Sequence, residues 1–451
     1  MLFKKSISSL HLPHYKGTSE LASEKIAPPE EVLIPLAGAA AVVNVGDKVK
    51  IGTLIAKEEG RNSVPMHATI SGTVSSIEEY KGGAKPDTAI RIKSDGLMEK
   101  DPDITPPVVT DLDSFLGALR VSGVVGLGGA SFPVWSKLDA ARKNHIKTIL
   151  VNGAECEPYI TSDDRMMREH ADLIKKGVEY LRTYLESEEF IIGIEKNKPE
   201  AIAKMQETFA DDPSVKVMPL ESVYPQGAKQ VLLYNATGLV VGEGQRLASL
   251  GVIIINVSTL AKSAEFLTTG MPLVEKTVTV DGTNVKEPKN LLVPIGTPIK
   301  DLINACGGLK TEGGKLIYGG PMMGKTAKDD SCPVLKATNA VTCLAPEDCE
   351  PLTSSPCIHC GRCAANCPLS LNPTVFDKAM QLDDDDERMA VLEKAQVQLC
   401  MECGSCSYVC PAHRPLVDTN RKAKGFVRKV NNERKAAAEA AKAAENKEGG
   451  K

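Results

Sequence analysis

Two cysteine runs carry the plainest chemistry in the chain. The first reads Cys357-Ile-His-Cys360-Gly-Arg-Cys363-Ala-Ala-Asn-Cys367-Pro368, the second Cys400-Met-Glu-Cys403-Gly-Ser-Cys406-Ser-Tyr-Val-Cys410-Pro411. Each has the C-x2-C-x2-C-x3-C-P spacing that holds a [4Fe-4S] cubane. Three thiolates wrap one tight loop around the cubane, each on its own iron. The fourth cysteine is held away, and the proline turns the chain off. Where one chain carries two such runs, the fourth cysteine serves the other cluster. That assigns Cys357, Cys360, Cys363 and Cys410 to one cluster, and Cys400, Cys403, Cys406 and Cys367 to the other. Tetrahedral zinc also uses C-x2-C pairs. Zinc accounts for four ligands in two pairs, but not for a triplet plus a displaced Cys-Pro written twice.

A second chemical stretch lies upstream. Ser122-Gly-Val-Val-Gly126-Leu-Gly128-Gly129-Ala-Ser131-Phe-Pro133 is a glycine-rich loop feeding a helical segment, Pro133 to Asn144. Free N–H groups and the positive end of a helix dipole make such a junction a phosphate cradle, and Lys137, one turn in, adds a point charge. By itself the loop reads equally well as a tight structural turn. It is followed by Thr148-Ile-Leu-Val-Asn152-Gly-Ala-Glu155-Cys-Glu157-Pro158, a β-branched run ending in two alternate carboxylates. Strand ends are where ligands sit in an α/β sheet. Without the glycine loop before it, the same run would read as a solvated loop.

The elements that position these residues follow from periodicity. Residues 1–30 read as an extended lead-in, because His11-Leu-Pro13-His14 and Pro28-Pro29 forbid long helices. Val45–Ala56, with its Gly46-Asp47 turn, and His67–Val74 read as two hairpins. Together they resemble the barrel-sandwich hybrid of biotinyl and lipoyl carriers. The tip region, Gly60-Arg-Asn-Ser-Val-Pro-Met66, lacks the carrier lysine, so the expected role is structural or docking. A Pro-rich linker covers 96–112. Strands at 148–152, 190–194, 215–220 and 251–256 alternate with helices at 164–185, 201–209, 228–233 and up to Thr268, the pattern of a helix-layered sheet. Residues 270–325 form a small α+β unit, and 326–356 read as irregular. Asp383–Glu387 reads as a solvated loop or a helix start, where acids suit the dipole. The tail from Arg421 has ten Lys/Arg against four Glu and reads as a marginal surface helix or disorder.

The totals set bounds. A length of 451 residues suggests about three domains. Composition is ordinary for a globular protein, 42% hydrophobic and 25% charged. A net charge of -4 and 4% aromatic residues, with a single Trp135, give no signal for nucleic acid. No run is long and apolar enough to span a bilayer. Met1-Leu-Phe-Lys-Lys-Ser lacks the apolar core of a signal peptide. Eight of the thirteen cysteines sit in the two runs and need free thiolates, which points to a reducing compartment. Cys156, Cys306, Cys332, Cys343 and Cys349 remain, and read as small buried hydrophobes.

Gly126-Leu-Gly128-Gly129-Ala-Ser131-Phe132-Pro133 with Lys137, then Asn152-Gly-Ala-Glu155-Cys-Glu157-Pro158, resembles the flavin- and NADH-binding subunit of respiratory complex I. That family carries G-R-G-G-A-G-F-P-x-x-x-K and N-A-D-E-x-E-P. With His11-Leu-Pro-His-Tyr-Lys-Gly, the hairpin region, Gly296-Thr-Pro, Gly319-Gly-Pro-Met-Met-Gly and the cysteine runs, the whole chain to about residue 425 resembles the C-subunit family of Rnf electron-transport complexes. The resemblance implies a multidomain α/β architecture. It would comprise a lead-in and barrel-sandwich hybrid over 1–100 and a Rossmann-like FMN/NADH domain over 113–269. An SLBB β-grasp-like domain over 270–330 and a helical two-cluster ferredoxin-like domain over 350–425 would follow, with a charged tail over 426–451. It implies FMN with its phosphate on Gly126, Gly128, Gly129 and Ser131, and a pocket lined by Lys137, Asn152, Glu155, Glu157 and Asn256. NADH would stack on the flavin and reduce it, and electrons would pass singly to the two [4Fe-4S] clusters, with no catalytic acid or base. The implied setting is the cytoplasmic face of a membrane. There the chain would be a peripheral subunit among partners that include an iron–sulfur subunit, reach ferredoxin indirectly and move the ion. Two departures stand out: Ser131 replaces the last loop glycine, where it could instead cap the helix, and Ala154 replaces an Asp. They keep alive an electron-relay adaptor with a vestigial flavin pocket. A cobalamin reductase of the propanediol-utilisation type is similar in parts, but its flavin segment comes first, whereas here the hairpin region does.

Overall fold

The computed structural model describes residues 8–60, 63–83, 86–129, 131–242 and 244–448. The chain divides into two compact units: Leu12–Glu350, and Pro351–Lys451 with Met1–His11.

In the larger unit, β1 (Glu24–Lys25) precedes a barrel-sandwich region of β2 (Glu31–Pro35), β3 (Ala40–Ala41), β4 (Lys48–Val49), β5 (Leu54–Lys57), β6 (Met66–His67), β7 (Gly72–Tyr80) and β8 (Asp87–Ser94). One sheet runs β2-β8-β7-β4 and the other β3-β5-β6. Val32 and Ile34 pair with Ile92 and Ile90, and all four are buried, as period-two patterning requires. The two expected hairpins do not form. β4 pairs with β7, while β5 pairs with β3 and β6. Each turn is a corner where the chain leaves one sheet for the other. Alternation and turn residues look the same at a corner as in a hairpin. Arg61 and Asn62 of the carrier-tip region lie outside the described residues.

The central layer starts with α1 (Leu112–Val121), whose Asp111 forms a capping box with Ser114. Then come α2 (Val134–Leu138), β9 (Thr148–Gly153), α3 (Ser162–Glu169), α4 (Ala171–Leu185), β10 (Glu189–Glu195), α5 (Pro199–Thr208), β11 (Val215–Leu220), α6 (Lys229–Thr237), β12 (Val252–Asn256) and α7 (Val257–Thr269). All four strands are parallel, in the order β11-β10-β9-β12. By chain position that order is 3-2-1-4, the Rossmann half-topology, with its switch point between β9 and β12. Ile149, Val151, Ile253 and Ile255 bury into the core shared with Ile174, Val178, Leu181 and Leu260. Leu150, Ile191 and Ile254 bury on the opposite face with Leu232 and Leu233. A parallel sheet covered on both faces needs such continuously apolar strands. The helix expected over 164–185 breaks at His170 into α3 and α4.

The remaining sheet joins β13 (Glu275–Asp281), β14 (Lys289–Pro294), β15 (Lys315–Tyr318), β16 (Lys325–Thr326) and β17 (Ala340–Leu344) with β1, in the order β1-β14-β13-β17-β15-β16. α8 (Ile299–Ala305) shares its core through Ile299, Leu302 and Ile303. Two strands come from stretches read as irregular or as lead-in. β17 is short but central, between β13 and β15, and its Val341 and Cys343 are fully buried. Cys306 and Cys332 are buried in the same core, small hydrophobes as expected. Burial pushes the Cys306 and Cys343 thiols up to about 12.

The smaller unit is helical: α9 (Arg362–Ala365), α10 (Pro373–Ala379), α11 (Asp385–Lys394), α12 (Ser405–Tyr408) and α13 (Leu416–Glu448). The acidic run starts α11, with Asp384 accepting from the Glu387 amide at 2.7 Å. The stretch read as a marginal tail helix or disorder is α13, anchored by Ala423 and Val427 in the unit's core. Among the described residues, no helix is long and apolar enough to cross a membrane.

Candidate cofactor sites

The cysteine runs fold as two copies of one loop. His359 and Glu402 are left-handed (φ 55° and 60°), as are Gly361 and Gly404 (73° and 78°) and, three residues past each last cysteine, Ser370 and His413 (56° and 48°). Left-handed non-glycine residues are uncommon and cost of order ~1 kcal/mol each. Four such strained positions, paired at matched offsets, mark a backbone shaped for a task. Short helices α9 and α12 begin directly after the two glycines.

Each loop frames a cavity, and the cavities exchange cysteines. One is lined by Cys357, Cys360 and Cys363 with Cys410; the other by Cys400, Cys403 and Cys406 with Cys367. Four soft thiol donors around a small void suit a sulfur-bridged iron cluster. Burial raises the Cys367 thiol to about 11 and Cys406 to about 12, so these sulfurs would hold a cationic core only on giving up their protons.

The flavin-type residues gather at the switch point. Asn152 and Asn256 are register partners at the ends of β9 and β12. Asn256 caps α7, its Oδ1 accepting from the Thr259 amide at 3.0 Å, and its Nδ2 donates to Asp163 at 2.7 Å. The glycine loop lies against this junction. The Leu127 amide donates to Thr259 Oγ1 at 2.8 Å, and a Cβ on Gly128 would come 3.2 Å from Asn256 Nδ2. Ser131 sits at φ 49°, so the position where the resembled motif has glycine is one where glycine is the natural occupant. Ser131 does not cap the helix: Pro133 is the N-cap of α2, without a side-chain cap bond.

Gly126, Phe132 and Lys137 line a cavity of about 1020 Å³, together with Lys229, Arg246 and Ile254. This is ample for a dinucleotide-sized ligand. Lys137 Nζ donates to Ile254 O at 3.1 Å. Burial, and then the Lys229 ammonium, lower its pKa to about 8. Of the predicted pocket residues, Gly126 and Lys137 line this cavity, whereas Gly128, Gly129, Ser131, Asn152 and Asn256 are not among its lining residues. A glycine at the start of the loop beside two cations fits the phosphate of a flavin.

Glu155 and Glu157 turn elsewhere. Buried Glu155 accepts from the Asp163 amide at 2.8 Å. Glu157 accepts from the amides of Met322 and Met323 at 3.0 and 2.8 Å, tying the strand-end loop to the neighbouring domain, and burial raises its pKa to about 7. One residue of this loop's support escaped sequence reasoning. Lys16 Nζ donates to Glu155 O, Glu157 O and Ile160 O at 2.8, 2.6 and 2.6 Å, filling its three donor sites. Burial, and then the Lys198 ammonium, lower its pKa to about 8. Tyr15 stacks on Tyr159 with ring centroids 4.8 Å apart. The only signal was the Tyr15-Lys16-Gly17 within the N-terminal stretch that carried the resemblance.

A glycine loop against the switch point, a large cavity beginning at its Gly126 and a pair of cysteine cavities on one chain fit a flavin iron–sulfur redox subunit. Family matches run in the same order: an RnfC barrel sandwich hybrid domain over residues 4–97, a Nuo51 FMN-binding domain over 119–264, an SLBB domain over 277–326 and a 4Fe-4S dicluster domain over 353–414. The C subunit of the Na(+)-translocating ferredoxin:NAD(+) oxidoreductase complex of Acetobacterium woodii is 37% identical over 375 residues, 81% of this chain and 84% of that protein. The C subunit of the proton-translocating ferredoxin:NAD(+) oxidoreductase complex of Clostridium ljungdahlii is 39% identical, covering 80% of each. The C subunit of the ion-translocating oxidoreductase complex of Rhodobacter capsulatus is 34% identical over 82% of this chain and 74% of its own. The chain belongs to the RnfC family, the C subunits of these complexes, and is related to the flavin subunit of complex I.

Proposed function

We propose that this chain is the peripheral electron-input subunit of a membrane ion-translocating NAD:ferredoxin oxidoreductase, held at the cytoplasmic face by partner subunits, one of them an iron–sulfur protein. NADH and FMN occupy the cleft lined by Gly126, Lys137 and Lys229, beside the switch point, and the two cysteine cavities hold two [4Fe-4S] clusters. The convergence of Gly128, Asn152 and Asn256 at the switch point, in a chain that also carries two four-cysteine cavities, is what carries this reading. When bound, a flavin accepts a hydride as an electron pair and releases electrons one at a time to iron–sulfur centres.

The residues supply position and field. The Gly126–Ser131 backbone gives an anion room to approach, and Lys137 with Lys229 supplies positive charge in a half-enclosed cleft. Asn256 holds the loop against the α7 N-terminus. Glu157 and Lys16 fix the strand-end loop from either side. Cys357, Cys360, Cys363 and Cys410 are the ligands of one cluster, and Cys400, Cys403, Cys406 and Cys367 of the other. Ferredoxin is reached through the partners.

The test is an anaerobic NADH titration of the cluster-reconstituted chain supplied with FMN, followed by visible absorbance. Flavin bleaching followed by loss of cluster absorbance supports the reading. Clusters that stay oxidised with NADH and reduce with dithionite, in a chain that retains no flavin, favour the relay adaptor, the reading kept alive by the strained Ser131. A pH series sharpens it. An anionic ligand is held best while Lys137 is protonated, so FMN affinity should fall as pH rises through about 8. Lys137→Met should bind weakly at all pH values and abolish that dependence.

A further inference from the structure

The two halves of the cysteine unit correspond by offset from the last cysteine of each run. Ten positions past it, one half has Asp377 and the other Asn420. Asp377 pairs with Arg414 at 2.8 Å, and Arg414 lines the cavity of Cys357, Cys360, Cys363 and Cys410. Asn420 lines the other cavity. It is 1% exposed, and its Nδ2 lies 3.6 Å from Cys400 Sγ and 3.8 Å from Cys406 Sγ. Its Oδ1 has no partner among the described residues. A buried amide that leaves its acceptor idle to aim its donors at two sulfurs is placed for those sulfurs. Thiolates and bridging sulfides only accept.

We propose that Asn420 is a positioning residue that sets the potential of the cluster held by Cys367, Cys400, Cys403 and Cys406, holding it above the value the same loop would give without the N–H···S bonds. The proposal rests on the two-cluster reading above. A four-cysteine [4Fe-4S] cluster gains negative charge on its sulfurs when it takes an electron. A donor to those sulfurs therefore stabilises the reduced form more than the oxidised one and raises the potential. The Lys424 ammonium, bonded to Cys400 O at 2.6 Å, is itself paired with Glu402. At the matched position of the other half, a carboxylate neutralised by Arg414 offers no donor. The amide donor thus stands beside one of two like loops and is missing from the matched position of the other.

The test is a redox titration of the full reconstituted chain, with reduced clusters followed by EPR, on the native protein, Asn420→Leu and Asn420→Asp. Two one-electron steps are expected in the native protein. In Asn420→Leu one step moves to lower potential by about tenfold in the reduced-to-oxidised ratio, ~59 mV for one electron, and the other stays. Asn420→Asp moves the same step at least as far, since it replaces the donor by an acceptor of the same shape. If Asn420→Leu assembles only one cluster, Asn420→Asp decides alone. No shift, an equal shift of both steps, or loss of that cluster's iron from both variants overturns the proposal. Two native steps that ignore the substitutions leave the two-cluster reading standing, whereas a native protein without two cluster signals overturns both.

Discussion

The two cysteine cavities are one loop built twice, yet they sit in different surroundings. The cavity of Cys357, Cys360, Cys363 and Cys410 is the outer one. Cys360 is exposed, Cys357 half-buried, Ile358 is 65% exposed, and Arg414 and Thr374 stand on its wall. The cavity of Cys367, Cys400, Cys403 and Cys406 is the inner one. Cys403 and Cys406 are buried, and Leu369, Leu371, Phe376 and Val417 close around it. Phe376, Leu371, Met389, Leu392, Val397, Ala423 and Val427 make the core behind it. Motif spacing fixes which atoms meet a cluster; the side chains past the motif decide how wet and how charged its surroundings are. On the two-cluster reading, two centres with the same ligands would thereby become different electron acceptors.

The largest test of this comparison is the exchange of cysteines. Cys403→Ser and Cys367→Ser should each lose roughly half the cluster iron and leave the same spectrum. Cys360→Ser and Cys410→Ser should share the complementary one. Iron analysis and EPR check this, and a spectrum that groups Cys367 with Cys360 would break the crossed arrangement. Next in size is Phe376→Ala, which opens a cavity behind the inner site and should cost about 3–5 kcal/mol in chemical denaturation of the smaller unit. Arg414→Met, at the outer site, removes the partner of Asp377. With side chains 23% and 12% exposed, the loss should be only about 1 kcal/mol, read from the same denaturation curves. Smallest is Thr419→Ala, at the repeat position matching Phe376. It is half-buried and should change stability by less than about 0.5 kcal/mol. A loss as large as that of Phe376→Ala would mean both halves share one core equally.

What the sequence made legible depended on how local the signal was. Cysteine spacing, the apolar runs of β9, β10, β11 and β12, and the glycine loop are local, and the structure has corresponding elements at each. Four strands each trailed by a helix indicate a parallel sheet, but the order β11-β10-β9-β12 is set by tertiary packing and is read from the structure. Three features were not legible, each because its partner is remote. The strands flanking Gly46-Asp47 carry hairpin patterning, but pairing is settled by β7 and β6. β1 and β17 are two and five residues long and become strands only by docking on β14 and β13. Lys16 looked like an ordinary cation because the three carbonyls it serves lie beyond residue 150. Asn420 lies just ahead of the tail read from Arg421, in a stretch without a motif, and only the offset it shares with Asp377 sets it apart.

The crossing of the cavities also bears on how the protein is made. The inner cavity lacks a wall until Cys406 has been synthesised, and the outer one until Cys410. Neither loop can finish its site while the other is missing. If clusters occupy these cavities, neither set of four thiols is complete before Cys406 has been made, and both are complete at Cys410. A premature stop anywhere between Pro368 and Cys410 leaves no complete set of four for the outer site. On the two-cluster reading, delivery of iron and sulfide to either site would thus be a late event in the life of the chain.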